Sequence, residues 1–199
     1  MIKTMKRSLV LAAAIAALTA IAVPSMASAA NWGPVNTIHT LTSPSSITFN
    51  IQGVTPATAF SCSSGPRFSA QVRTPASSLM DLTSTSTLSC TGTGQFAGCN
   101  MAVALNGLPL WNADGTSGTS NVKINSVNIE VTLSSCAASP GPYTISGTLA
   151  GGVWSNLNRS LAFTNGTGLT ITGSGIPGYA VTVTASEFIK DTTSPFLSL

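Results

Sequence analysis

Few residues in this chain can move a proton, attack an electrophile or hold a metal: one histidine, five carboxylates and four cysteines. The histidine is His39, inside Thr37-Ile38-His39-Thr40-Leu41. A Ser-His-Asp arrangement would require a nucleophile and an orienting acid brought in from distant parts of the chain. A lone histidine on a short strand reads instead as a surface or half-buried side chain. Ser61-Cys62-Ser63-Ser64-Gly65 lacks the G-x-S-x-G pattern that places a serine on a strained strand-to-helix turn, so no residue is singled out as catalytic.

The carboxylates are Asp81, Asp114, Glu130, Glu187 and Asp191. Glycoside hydrolysis needs two of them facing one bond. Only Glu187 and Asp191 are close in sequence, and with Lys190 beside them they read as a solvated tail. Asp114 precedes Gly115 and reads as a turn former. A calcium loop around Asn112-Ala113-Asp114-Gly115 would lack the spaced acids and bidentate glutamate of an EF-hand. Gly173-Ser174-Gly175-Ile176-Pro177-Gly178 and Gly92-Thr93-Gly94-Gln95-Phe96-Ala97 match nucleotide-type glycine patterns. Strand-like sequence follows each, whereas pyrophosphate binding needs a helix N-terminus there. No metal and no cofactor are expected. Asn158-Arg159-Ser160 and Asn165-Gly166-Thr167 match the glycosylation triplet.

Cys62, Cys90, Cys99 and Cys136 form an even set, which in an exported protein implies two disulfides with three possible connectivities. The short Cys90 to Cys99 separation favours that pair, with Cys62 and Cys136 as its complement. No C-x2-C knuckle supports a zinc site.

Export itself is read from the first residues. Lys3, Lys6 and Arg7 precede an apolar run from Leu9 to Val23, followed by Ala27-Ser28-Ala29, the pattern of a cleavable secretory signal over residues 1–29. At about 15 residues the run is too short to span a bilayer as a helix. Three of the eight basic residues leave with this segment. Arg67, Arg73, Lys123, Arg159 and Lys190 then balance the five acids, so the mature chain is formally neutral. Neutrality removes the basic surface that nucleic acid requires and the self-repulsion that opposes association.

The elements that must position these residues are strands. Ser46–Gln52, Ser126–Leu133 and Ala180–Thr184 alternate polar and apolar residues, the period of a strand with one buried face; Glu130 falls on the outward side. Asn165-Gly166, between Leu161-Ala162-Phe163 and Leu169-Thr170-Ile171-Thr172, predicts a hairpin. Pro140-Gly141-Pro142 precedes a further strand from Tyr143. The expected fold is all-β: a single β-sandwich-like domain over residues 30–199 with about eight to ten strands. An outer-membrane barrel would need strands of about 9–11 residues with aromatic girdles. These runs are shorter, and aromatics are few.

Cys90 and Cys99, then Gly107-Leu108-Pro109-Leu110-Trp111, then the alternating strand leading to Cys136 resemble small exported proteins known as activators of alkane oxidation. Leu110 between Pro109 and Trp111 and a longer segment after Cys136 depart from that pattern. The resemblance covers about the central third of the chain. It implies a role in growth on hydrophobic carbon sources and contact with the cell surface or extracellular matrix, and it carries no catalytic residue.

The expected function is that of a non-catalytic, secreted or cell-surface β-domain acting by association with itself, with matrix components or with a hydrophobic surface. Ile38, Ile47, Phe49 and Ile51 are the segment that would pair with a neighbouring subunit, unless they are simply the domain's own first strands. Two alternatives accompany this expectation. One is a binding module for a small apolar or carbohydrate ligand, with Trp32, Trp111, Trp154, Tyr143 and Tyr179 as candidate contacts. The other is a secreted hydrolase.

Overall fold

A computed structural model describes residues 32–63, 67–72, 79–85, 88–106, 110–113, 121–135, 141–173 and 175–194. The expected leader, and its cleavage point after Ala29, lie outside them. Twelve strands form: β1 (Ile38–Thr42), β2 (Ile47–Ile51), β3 (Thr58–Cys62), β4 (Arg67–Val72), β5 (Leu79–Thr85), β6 (Leu88–Thr93), β7 (Asn100–Leu105), β8 (Leu110–Ala113), β9 (Asn121–Ser134), β10 (Tyr143–Ser155), β11 (Ser160–Gly173) and β12 (Ile176–Asp191). The chain is all-β, as its alternation predicts, with more strands than the eight to ten expected.

The pairing explains the excess. β12 pairs through Val181–Thr184 with β2 and through Lys190 and Asp191 with β1, so β1 and β2 follow one another along the same edge. β9 does likewise with β8 through Val122–Asn125 and with β7 through Ile129–Ser134. The remaining pairs, β1–β4 with β2–β3, β4–β5 with β3–β6, and β5–β8 with β6–β7, complete the pattern. The first eight strands are therefore four long staves, each interrupted once. With β9 to β12 they make an eight-stave up-and-down meander. Every pairing between these strands is antiparallel, and β12 returns to the first stave. The sheet-on-sheet packing expected of a sandwich is achieved by one sheet closed on itself, which leaves none of these strands with an unpaired edge.

Strands β9 to β12 run for 13 to 16 residues, longer than the sequence runs suggested. Their outward positions are mostly polar, with Val153 on β10 an exposed exception. One register row crosses six neighbouring strands as Thr184, Thr48, Ser61, Thr91, Asn100 and Ser134. A lipid-spanning barrel carries an apolar band outside and polar groups within; this barrel has the opposite arrangement.

Asn165-Gly166 does not turn the chain. It lies inside β11, where the pairing with β12 steps from Phe163↔Ala185 to Gly166↔Val183 and then Leu169↔Val181. Extra residues are absorbed as bulges. Gly166 suits that place because a Cβ there would stand 2.7 Å from Leu149 Cδ1 and 2.8 Å from Phe163 Cδ1. The local Asn-Gly signal is overridden by packing from the neighbouring staves.

The disulfide expectation is also corrected. Cys62 bonds Cys90, because β3 and β6 are neighbours in register and place the two residues directly opposite each other, with Cα atoms 3.9 Å apart. A Cys90–Cys99 bond is thereby excluded, as is Cys62–Cys136. Cys99 is itself disulfide-bonded. Cys136 lies outside the described residues.

Candidate functional site

Alternation sends every second side chain inward, and those side chains are large. At one end of the barrel Trp32 meets Trp154 edge-on, with ring centroids 5.4 Å apart. At the other, Phe96, on a 3-10 turn between β6 and β7, meets Tyr143 at 5.7 Å. All four are buried. Trp154 donates its indole N–H to Asn156 Oδ1 at 2.8 Å. Of the aromatics considered as ligand contacts, Trp154, Tyr143 and Trp32 are thus end plugs, and Tyr179 is half-buried on β12.

Trp111 has a different environment. Between the plugs lies an apolar cavity of about 60 Å³, whose wall includes Phe49, Phe68, Trp111, Val127, Leu149 and Phe188. Among the described residues, its lining side chains are hydrocarbon apart from the indole of Trp111. Phe188 ties the wall together, with ring centroids 5.2 Å from Phe163, 6.3 Å from Trp111 and 6.4 Å from Phe68. The cavity lies at the level where the first four staves are interrupted. At the same level the β10 pairings shift register between Gly147 and Gly152. An eight-strand barrel is just wide enough to be filled by side chains or to hold one small ligand. At this waist the filling is incomplete.

Part of the cavity wall reaches the barrel surface. Leu88, Leu105 and Ile129 belong to the cavity wall, and all three are only partly buried. Leu105 pairs with Ile129, and Leu88 pairs with Val103, so they sit together on the β6–β7–β9 wall. The Cys62–Cys90 bond crosses from β3 to β6 two residues from Leu88 and holds the adjoining wall.

His39 finds the acid that a triad would need. Its Nδ1 lies 3.0 Å from Asp191 Oδ2, and both side chains are fully buried. Asp191 Oδ1 accepts from the Thr193 backbone N–H at 2.9 Å. Asp191 is therefore part of the wall, which corrects its reading as tail; Glu187 and Lys190 remain a partly exposed pair at 3.9 Å. The dyad closes the seam between the first and last staves, aided by Thr192 N–H to Thr40 O at 3.1 Å and Thr40 N–H to Thr193 Oγ1 at 2.7 Å. No sequence signal marks this pairing, since 152 positions separate its members.

Among the described residues, four buried side-chain polar atoms have no hydrogen-bond partner: Trp32 Nε1, His39 Nε2, Trp111 Nε1 and Asn112 Oδ1. Of these residues Trp111 alone borders the cavity.

Ile47, Phe49 and Ile51 are buried within their own barrel, while Ile38 is exposed. Ile38, Val153 and Leu157 are the large apolar residues exposed among the described ones. Asp114 and Gly115, and the Gly107-Leu108-Pro109 part of the segment before Trp111, lie outside the described residues. No family model, curated protein or solved structure matches this chain.

Proposed function

We propose that this protein is a non-catalytic, exported barrel that binds a small apolar molecule at its waist. The observation that carries the reading is the apolar cavity enclosed between two aromatic plugs and bordered on one side by the partly exposed Leu88, Leu105 and Ile129. Small-ligand sites are concave and mostly apolar, with few polar groups. The resemblance to activators of alkane oxidation belongs to the same proposal, since an apolar cargo suits a protein serving growth on hydrophobic carbon sources.

Closure of the sheet favours this reading over assembly through strand edges, because the paired strands offer no free edge to a second copy. A hydrolytic role is disfavoured because the one His–Asp pair is sealed inside the seam, away from solvent.

Thermal unfolding with and without dissolved xenon, an apolar probe small enough for a cavity of about 60 Å³, tests the proposal. A ligand at one hundred times its dissociation constant stabilises the native state by about 2.7 kcal/mol, and the same titration should shift the NMR resonances of Val127 and Leu149. Val127→Phe fills the cavity and should abolish both responses while the barrel stays folded. No stabilisation and no shift in the wild type would sink the proposal.

A further inference from the structure

We infer that the outer wall of the barrel carries a binding site of its own, a groove across β11, β12, β2, β3 and β6 that takes a short run of neutral sugar units. The groove faces away from the waist, and the inference does not rest on the waist reading.

The outside of a barrel is convex, so a hollow there needs a cause. One outward row crosses four neighbouring strands as Thr182, Asn50, Ala59 and Thr93. Ala59 is its low point, since only a methyl group stands between the larger Asn50 and Thr93 side chains. The β2–β3 connection supplies Val54 and Ala57 to the lining. On the far side the β11 pairing with β12 is bulged between Phe163 and Gly166, and Asn165 in that bulge joins the wall; bulges re-aim side chains in this way. The groove has a volume of about 480 Å³, within the range of about 300–1,000 Å³ for small-molecule sites. Its polar groups are within reach of solvent: Gln52, Thr93, Asn165 and Thr184 are exposed, and Asn50 and Thr182 are half-buried.

The lining selects the chemistry. Among the described residues it holds no charged group. Asn50, Gln52 and Asn165 bring carboxamides, each with a carbonyl acceptor and two N–H donors. Gln52 is held in place, because its Nε2 donates to Thr182 Oγ1 at 3.1 Å and to Asn50 O at 3.5 Å. A side chain ordered before binding loses less freedom when a ligand arrives. Thr182, having accepted that bond, keeps its own hydroxyl proton to donate. Thr93 and Thr184 donate to Ala59 O and Thr164 O, and their oxygens keep lone pairs to accept. The Asn50 and Asn165 amides have no partner among the described residues. Donors and acceptors are thus interspersed, with the alkyl groups of Val54, Ala57 and Ala59 among them. A sugar ring has the matching surface, hydroxyls that each donate and accept around apolar C–H faces. A hydrocarbon would strip water from the amides without replacing its hydrogen bonds. A charged ligand would give up hydration for no counter-charge.

The experiment titrates the folded protein with maltopentaose, cellopentaose and laminaripentaose as neutral probes and with pentagalacturonate as the charged control. The readout is the side-chain amide 15N–1H resonances of Asn50, Gln52 and Asn165. At least one neutral probe should move all three saturably while the Val127 and Leu149 signals of the waist stay in place, and pentagalacturonate should move none. Gln52→Ala and Asn165→Ala should each weaken the bound probe about fivefold, the size of one neutral hydrogen bond. Thr132→Ala, on the outward face of β9 beyond the groove, should leave binding unchanged. Ala59→Phe fills the low point and should abolish binding with the unfolding midpoint close to wild type. No saturable shift from any neutral probe at millimolar concentration, or shifts from pentagalacturonate equal to theirs, would overturn the inference. A failed xenon test at the waist would leave the groove standing, and a failed sugar titration would leave the waist standing.

Discussion

Asp191→Ala tests whether the buried dyad closes the barrel. The seam between β1 and β12 has only two residue pairs in register, Leu41↔Asp191 and Thr42↔Lys190, so side-chain bonds carry more of its closure than elsewhere. Alanine strips the partner from His39 Nδ1, which stays fully buried, and from the Thr193 N–H, which is partly buried. A buried polar group left unpaired costs about 1–3 kcal/mol. The sum for one full and one partial loss is about 2–4 kcal/mol. At roughly 2–4 °C per kcal/mol for a domain of this size, the midpoint should fall by about 6–12 °C for a 3 kcal/mol loss. Equilibrium urea unfolding, followed by tryptophan fluorescence, measures the free energy directly. The control is His39→Leu combined with Asp191→Ala, which removes both polar groups together. Replacing a buried polar pair by apolar side chains is close to neutral compared with orphaning one member, so the double variant should be at least about 1 kcal/mol more stable than the sum of the single effects. Strict additivity, or a loss below about 0.5 kcal/mol for Asp191→Ala, would refute the view that these residues hold the seam.

Two further expectations concern the frame around the waist. Replacing Cys62 and Cys90 by alanine releases a link spanning 28 positions and should cost about 3–4 kcal/mol in urea unfolding; peptide mapping without reduction should recover Cys62 and Cys90 in one linked fragment. Gly168→Ala should cost at least about 2 kcal/mol, because Gly168 has φ +96° and a Cβ there would stand 2.2 Å from the Thr148 carbonyl oxygen; a wild-type unfolding midpoint would contradict the close approach of β10 and β11.

Much of the sheet is legible in the sequence. Ser46–Gln52 and Ser126–Leu133 alternate because one face of each strand meets the core and the other meets water, and their apolar residues Ile47, Phe49, Ile51, Val127, Val131 and Leu133 are buried. Features set by long-range register are not legible. Cys62 and Cys90 bond because a third and a sixth strand become neighbours, whereas the shorter Cys90–Cys99 spacing says nothing about which strands pair. Asn165-Gly166 has the composition of a hairpin turn, but a turn and a bulge draw on the same residues. Which one forms is decided by Leu149 and Phe163 packed against Gly166.

The same ambiguity hid the site. Ser43-Pro44-Ser45 has the composition of a turn. In the fold it is a break within one stave, where Ser45 Oγ donates to Glu187 O at 2.8 Å and accepts the Glu187 N–H at 3.0 Å. Those bonds bridge the stretch between the β2 and β1 pairings of β12, and the adjacent Phe188 lines the cavity. A barrel of eight unbroken staves would fill this level with alternating inward side chains. Breaking the staves near one height forfeits part of that layer, while the tryptophans and Phe96–Tyr143 keep the ends shut. The cavity is therefore a product of the interruptions. On the proposed reading, the residues with most bearing on function are those that interrupt strands rather than those with reactive side chains.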